Sequence, residues 1–281
     1  MPENISEDDA AHVLAAGLIP LTGFQDALLA IEVCASSKPD AVEFKSLLAA
    51  GDSNRAVVGT LPEADAKALL CEAGLKLPGN TTLSAESGLL PDHSQLAERC
   101  KSLNYPLVLK IQSIDSRAIE HKSDMGGVVL NISDLDVLHR ELRDMHQRLS
   151  GDSYLVEEQI STPLAELLVS VVRDPVYGFM LTVAAGGTQT ELLQDSGQVL
   201  LPASRQAMRS CIDGLRVSRL LDGYRGAAAV DKEQVLDVLE HLQQFTIDNA
   251  KHLHEVEINP LLCGADSVIA TDCLLRLSAE D

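Results

Sequence analysis

The residues His121-Lys122-Ser123-Asp124-Met125-Gly126-Gly127-Val128-Val129-Leu130 decide how this chain is read. A strand-like run, Tyr105-Pro106-Leu107-Val108-Leu109-Lys110-Ile111, comes shortly before them, and a second apolar run, Val128 to Ile132, follows. A lysine on a buried strand, a polar loop closing in Gly-Gly and a return strand together suit a polyphosphate. Gly126 and Gly127 would let backbone N–H groups approach the oxygens, and the lysine would neutralise charge. The same pattern also suits a plain hairpin with a polar loop.

Working outward, the pattern is regular from Leu61 onward. Helices are predicted over Pro62 to Ala73, closed by Gly74, and over Asp92 to Leu103, capped by Asp92 or Ser94. The helix Ser133 to Leu149 carries Leu135, Leu138, Leu142, Met145 and Leu149 on one face. Tyr154 to Ile160, Ala165 to Arg173 and Phe179 to Ala184 read as strands, with Thr190 to Leu193 a further candidate. Helices return at Ser204 to Asp213, Val217 to Leu221 and Asp231 to Asn249, and strands Val256 to Leu262 and Val268 to Leu275 close the pattern. Helices and hairpin strands alternate without a repeated βαβ unit, which indicates an α+β domain over residues 59–281. Before it, helices Asp9 to Ala16 and Gln25 to Ala35 flank an extended Leu18-Ile19-Pro20-Leu21. This piece is too small to bury a core and reads as the tail of an α/β domain whose beginning is missing; with a polar linker from Ser36 it makes up residues 1–58.

Composition narrows the class. The formal charge of −20 argues against nucleic acid or an anionic membrane surface as partner, although a small basic pocket for ATP can sit inside an acidic surface. No apolar run reaches transmembrane length, and the acidic start is unlike a signal peptide. The six cysteines lack metal-site spacing and suit reduced thiols in a cytoplasmic protein.

A second signal lies in the last two strands. Along Glu255-Val256-Glu257-Ile258-Asn259, oxygen-bearing side chains alternate with apolar ones. With Gly264-Ala265-Asp266-Ser267 as the turn, Cys263 pairs with Val268, Asn259 falls opposite Asp272, and Glu257 is next along the same face. Two carboxylates and an amide oxygen then converge with no lysine or arginine between them, a donor set that suits Mg²⁺ shared with nucleotide phosphates. A solvent-facing acidic hairpin fits the pattern too. Finally, Tyr154-Leu155-Val156-Glu157-Glu158-Gln159-Ile160 is an apolar strand turning polar, with Glu166 close behind. It could offer backbone groups to an adenine edge and a carboxylate to ribose.

Lys110, the 121–128 loop, Arg173-Asp174-Pro175-Val176-Tyr177-Gly178, Gly186-Gly187 with Glu191 and Asp195, Tyr224-Arg225-Gly226 and Glu257-Ile258-Asn259-Pro260-Leu261 occur in that order in one family. From about residue 61 to 277 the chain resembles the ATP-grasp domain of NDP-forming acyl-CoA synthetases, the ADP-forming acetate–CoA ligases related to succinyl-CoA synthetase. Residues 9 to 35 resemble the end of that family's flavodoxin-like ligase-CoA domain. The resemblance implies that Lys110 contacts ATP phosphate and that Gly126 and Gly127 belong to the phosphate loop. It implies an adenine hinge of Glu157, Glu158 and Ile160, with Glu166 on ribose. It implies Asn259 and Asp272, with Glu257 beside them, as Mg²⁺ ligands, and His121 as a carrier of the phosphoryl group.

Two departures stand out: Ala227-Ala228 where a proline is usual, and Cys273-Leu274 where a small and a basic residue are usual. The implied activity is carboxylate + CoA + ATP ⇌ acyl-CoA + ADP + phosphate, through acyl phosphate and phosphohistidine. CoA would be bound through a partner chain, either a CoA-binding ligase subunit or a homo-oligomer. An ATP-binding regulatory module and an inactive truncated homologue are the alternatives.

Overall fold

The structure is a computed structural model and describes residues 6–21, 23–36, 57–85, 89–114, 117–118, 122–160, 163–175, 177–187 and 195–278. It divides into two compact units, Met1–Glu43 and Phe44–Asp281. In the first, α1 (Glu7–Ala15) starts at Ser6, whose hydroxyl accepts the Asp9 N–H, and stops before Gly17 at φ +76°. Helix α2 (Phe24–Ser36) follows. Leu14, Leu18, Ile19, Leu21, Phe24, Leu28, Leu29 and Ile31 of this unit are all exposed.

The second unit holds two sheets. The larger runs in the order β1 (Val57–Thr60), β12 (Cys273–Ser278), β10 (Leu253–Cys263), β7 (Ala165–Asp174), β8 (Gly178–Ala185), β9 (Ser196–Leu201), and β11 (Val268–Ala270) pairs with β10. The smaller runs β2 (Asn80–Ser84), β6 (Ser153–Glu158), β3 (Leu107–Ile114), β4 (Arg117–Ala118), with β5 (Val128–Ile132) also on β3. Every pairing described is antiparallel. The mixed α+β layout is the one expected.

Each sheet has its own core. Leu107, Leu109 and Ile111 of β3, with Tyr154 and Val156 of β6, pack under α4 (His93–Cys100) and α5 (Leu135–Leu149) through Leu96, Leu138, Leu142 and Met145. Asp92 closes a capping box with Gln95 at the start of α4. The larger core joins Val169, Leu181, Val256 and Ile258 to α3 (Glu63–Glu72), α6 (Arg205–Asp213) and α8 (Lys232–Asp248), with α7 (Ser218–Leu221) at its border.

Strands β1, β2, β4 and β9 were not expected, and two of them show why. Val57-Val58-Gly59-Thr60 straddles the expected boundary at residue 59, yet β1 pairs with β12, Val57 opposite Ser278, so the sheet begins before residue 59. Four residues are too few to show a period, and the pairing comes from a partner more than two hundred residues away. Strand β9 was missed because Ser-Gly-Gln gives it no apolar alternation; Gly197 there lets Cys211 close in, since a Cβ would stand 2.7 Å from its Sγ. The candidate strand Thr190 to Leu193 lies outside the described residues.

Candidate functional site

The smaller sheet has two faces of opposite character. Along β3, Leu107, Leu109 and Ile111 enter the core, so Val108, Lys110 and Gln112 share the other face. Along β6, Tyr154 and Val156 enter the core, so Leu155 and Glu157 point with Lys110. Helix α3 supplies what covers this polar face. It has no side-chain cap of its own, and Gln112 Oε1 reaches over from β3 to accept the Ala64 N–H at 2.8 Å. That contact fixes the first turn of α3, and with it Glu63 and Lys67, one turn apart.

The result is a buried cluster of three cations and two carboxylates. Glu63 Oε1 is 2.8 Å from Lys110 Nζ and 2.7 Å from Lys67 Nζ, while Glu63 Oε2 is 2.7 Å from Lys122 Nζ. Glu157 Oε1 lies 2.6 Å from Lys110, and Glu157 Oε2 takes a short bond from Lys67. Lys67 and Lys110 also donate to the carbonyl of Thr271, at 2.7 and 2.8 Å. The side chains of Glu63 and Lys67 are 1% exposed, so no water is there to replace a lost partner. Burial by itself would raise the Glu63 pKa, but Lys110, Lys67 and Lys122 outweigh it and hold the carboxyl well below the usual carboxylate range. Burial would likewise lower that of Lys110, and Glu63, Glu157 and Asp272 raise it instead.

Beside this cluster opens a cavity of about 270 Å³ lined by Lys122, Ser123, Asp124, Glu257, Asn259, Asp272 and Leu274. Its floor is the final hairpin, in the register expected from its turn. Cys263 pairs with Val268 and Ile258 with Cys273, and the Asn259 N–H donates to the Asp272 carbonyl at 3.0 Å. Glu257, Asn259 and Asp272 thus come together. Burial pushes the Glu257 carboxyl above its usual range, with Glu255 and Asp272 adding to the push against a hydrogen bond from Asn259. Burial also raises Asp272; Lys110 pulls it down and Glu63 pushes it up, and with 42% of the side chain exposed, water screens part of each effect. Two acids that resist ionisation, joined to an amide oxygen, fit a hard cation shared with phosphate. Among the described residues no three His, Cys, Asp or Glu side chains are grouped so that they could hold a metal ion by themselves.

Several expectations need correcting. The acidic row does have cations beside it: Lys122 Nζ stands 3.6 Å from Asp272 Oδ1, and Arg276 pairs with Glu255. Lys110 does not line the cavity; Glu63, Glu157 and the Thr271 carbonyl engage all three of its N–H groups. The N–H groups of Gly126 and Gly127 turn inward, donating to Ser123 O at 3.1 Å and Lys122 O at 2.7 Å. The two glycines instead shape the loop. Gly126 has φ +68°, and a Cβ on Gly127 would stand 2.4 Å from Ile111 Cγ2. Glu157 offers no free backbone edge, because β6 is interior and pairs Glu157 with both Asn80 and Val108. Its side chain belongs to the ion cluster.

The remaining candidates lie apart. Glu158 accepts from the backbone and side-chain N–H groups of Asn104, at 2.8 and 2.7 Å. Ile160 follows the last sheet bond, Gln159 N–H to Pro106 O, and is half-buried. Glu166 lines a different cavity, of about 460 Å³, with Gly186, Gly187 and Asp195. Asp195 there accepts the N–H groups of Arg216 and Val217, both at 2.8 Å. His121 lies outside the described residues. Glu63, Lys67 and Gln112 were missed. The one signal for Glu63 and Lys67 was charge on the buried stripe of α3, where they keep helical spacing with Leu70, and Gln112 on β3 gave none.

Comparison with known proteins agrees with this architecture. Residues 53–277 match a protein family described as ATP-grasp domain. Acetate–CoA ligase [ADP-forming] I of Archaeoglobus fulgidus is 27% identical over 70% of this chain and 29% of its own length. Trans-feruloyl-CoA synthase FCS1, from an unknown prokaryotic organism, is 28% identical over 78% of this chain and 31% of its own length. The chain therefore spans about three tenths of these relatives. It matches the Pyrococcus furiosus acetate–CoA ligase [ADP-forming] I subunit beta at 27% identity, over 77% of this chain and 91% of that subunit. The acetyl-coenzyme A synthetase 1 of Ca. Korarchaeum cryptofilum, solved with coenzyme A and Mg-AMPPCP, superposes with a TM-score of 0.65 at 25% identity, covering 78% of this chain and 92% of that one. With its two sheets, its ion cluster and its acidic hairpin in place, the chain belongs to the ATP-grasp domain family.

Proposed function

We propose that this chain is the Mg-nucleotide-binding part of an ADP-forming acyl-CoA ligase and works with a CoA-binding partner chain or domain. The reaction is carboxylate + CoA + ATP ⇌ acyl-CoA + ADP + phosphate. The observation that carries this reading is the meeting of Lys122 with Glu257, Asn259 and Asp272 around one cavity. A cation facing two carboxylates and an amide suits a metal–phosphate unit, which needs donors of both signs side by side.

In this reading Lys122 takes phosphate oxygens, while Asp272, Asn259 and Glu257 hold Mg²⁺. When bound, the ion neutralises charge on the phosphates of the nucleotide. Lys110 supplies positive charge from just behind. Glu158 and Ile160 flank the adenine, and Glu166 holds ribose. His121 is the phosphoryl carrier. Its neutral imidazole nitrogen attacks the γ-phosphorus, the P–O bond to the β-phosphate breaks with its electron pair, and ADP leaves. The phosphoryl group then passes to the carboxylate at the partner's site, and the CoA thiolate displaces it from the acyl phosphate as inorganic phosphate. The resemblance and the relatives' names support this sequence of steps.

A second reading, a Mg-nucleotide-binding regulatory module without ligase activity, has one observation in its favour. Leu274 lines the cavity where the resembled family usually carries a basic residue. Co-expression with a CoA-binding partner decides between them. Acyl-CoA formed by the pair, with acid-labile, base-stable label from ATP on the wild-type chain and none on His121→Ala, supports the ligase. Mg-ATP binding with no turnover in the pair supports the module.

A further inference from the structure

We infer that Glu63 is the positioning residue of the phosphate-binding end of the cavity, setting both the cation and the carboxylate that face a nucleotide's terminal phosphates. The inference rests on the proposed nucleotide reading and adds to it a residue on a different element.

The geometry is that of a hub. One Glu63 oxygen holds Lys110 and Lys67, and the other holds Lys122. Of the three lysines, Lys122 alone lines the cavity. Its ammonium is anchored on the inner side by Glu63 at 2.7 Å and stands 3.6 Å from Asp272, with capacity left for an oxygen from the cavity. The other arm runs through the backbone. Lys67 and Lys110, both gripped by Glu63, donate to the Thr271 carbonyl where the return strand is interrupted between Ala270 and Cys273. The Thr271 hydroxyl is tied to the Pro260 carbonyl at 2.9 Å, so the peptide preceding Asp272 is held on two sides. Asp272 is thereby aimed at the cavity from a fixed backbone. A phosphate arriving there meets one cation and one metal-ligating carboxylate whose spacing is set by the same buried group.

A role confined to folding would weaken every ligand alike. A role in placing Lys122 and Asp272 weakens ligands in proportion to the phosphates that reach them. The test is calorimetric titration of the full chain with Mg-ATP, Mg-ADP and AMP, for wild type and Glu63→Asp. The shorter side chain keeps its charge in the cluster but cannot bridge all three lysines. Losing one charge-assisted contact should weaken Mg-ATP by about tenfold or more, Mg-ADP by less, and AMP least. If Glu63→Asp does not fold, Lys67→Gln carries the same test, since it leaves two buried cations against two buried carboxylates and removes one grip on Thr271. Unchanged Mg-ATP affinity, or equal losses for all three ligands, would overturn the inference while leaving the nucleotide reading intact. A wild-type chain that binds none of the three overturns both.

Discussion

Asp272 sits where its charge is unfavourable until a cation arrives, and Glu63 sits where its charge is indispensable. Opposite pH behaviour follows. The Asp272 pKa is raised above its ordinary 3.8, so its contribution to stability is present at lower pH and is lost as pH rises through the raised value. Asp272→Asn should therefore match wild type in strong acid and become the more stable of the two as pH rises, in the absence of Mg²⁺. The same variant should lose most of the gain from Mg-ATP, about 2.7 kcal/mol for wild type at a hundredfold excess over Kd. Thermal melts across pH, with and without Mg-ATP, read both effects, and a variant that keeps the nucleotide shift removes Asp272 from the site. For Glu63, whose carboxyl is held below its ordinary 4.5, stability is fully present above that value and is lost as pH falls. Glu63→Gln should cost about 3–5 kcal/mol at neutral pH, a deficit that shrinks in urea melts as pH drops below 4.5. The acidic trio was legible in the sequence because a two-residue period and a recognisable turn fix a hairpin's register. Glu63 was not, because a charged residue in the first turn of a helix ordinarily marks an exposed start.

Elements set how these side chains are held, and the loop from Lys122 to Gly127 is the tightest constraint. The Gly127 amide closes onto the Lys122 carbonyl, and Ile111 packs where a side chain would stand. Gly127→Ala should cost about 1–3 kcal/mol in urea melts through overpacking, and it should also weaken Mg-nucleotide binding, because the new Cβ crowds the Lys122 carbonyl at 2.9 Å as well as Ile111. Gln112→Ala reaches the site from the other side. It leaves the Ala64 N–H without its acceptor at a cost of about 1–3 kcal/mol, and it releases the turn that carries Glu63. A Gln112→Ala chain with unaltered stability would show that packing and the ion pairs of Glu63 and Lys67 hold α3 without it. The sequence showed the helices within one to three residues at each end, since capping and apolar spacing are local. It showed the Gly-Gly loop but assigned its amides to a ligand, when backbone groups so close together satisfy each other first. Strand β6 was expected to offer backbone groups to a ligand at its polar end, yet sheet order depends on which strands find one another across the chain, and nothing local to Glu157 and Glu158 records that β2 lies alongside.

Across the whole molecule, the sheets, the cluster and the cavity all belong to the Phe44–Asp281 unit, so nucleotide binding should need nothing outside this chain. Acyl transfer is different. The purified chain, given a carboxylate, CoA and Mg-ATP, should form no measurable acyl-CoA, and adding a CoA-binding partner should start turnover; robust synthesis by the chain alone would refute the division of labour. The cluster and the cavity rim also answer differently to mutation over evolutionary time. Any single loss among Glu63, Lys67, Lys110 and Glu157 removes at least two buried charge-assisted contacts, so these four resist drift whether or not a lineage still performs the chemistry. Asp272 is half-open to water and Glu257 is an acid that resists ionisation, so both can be lost without harm to the fold. A descendant that has gone silent should therefore keep its lysines and shed its rim. Asp272 and Glu257, more than the buried lysines, are the positions by which a working relative can be told from a retired one.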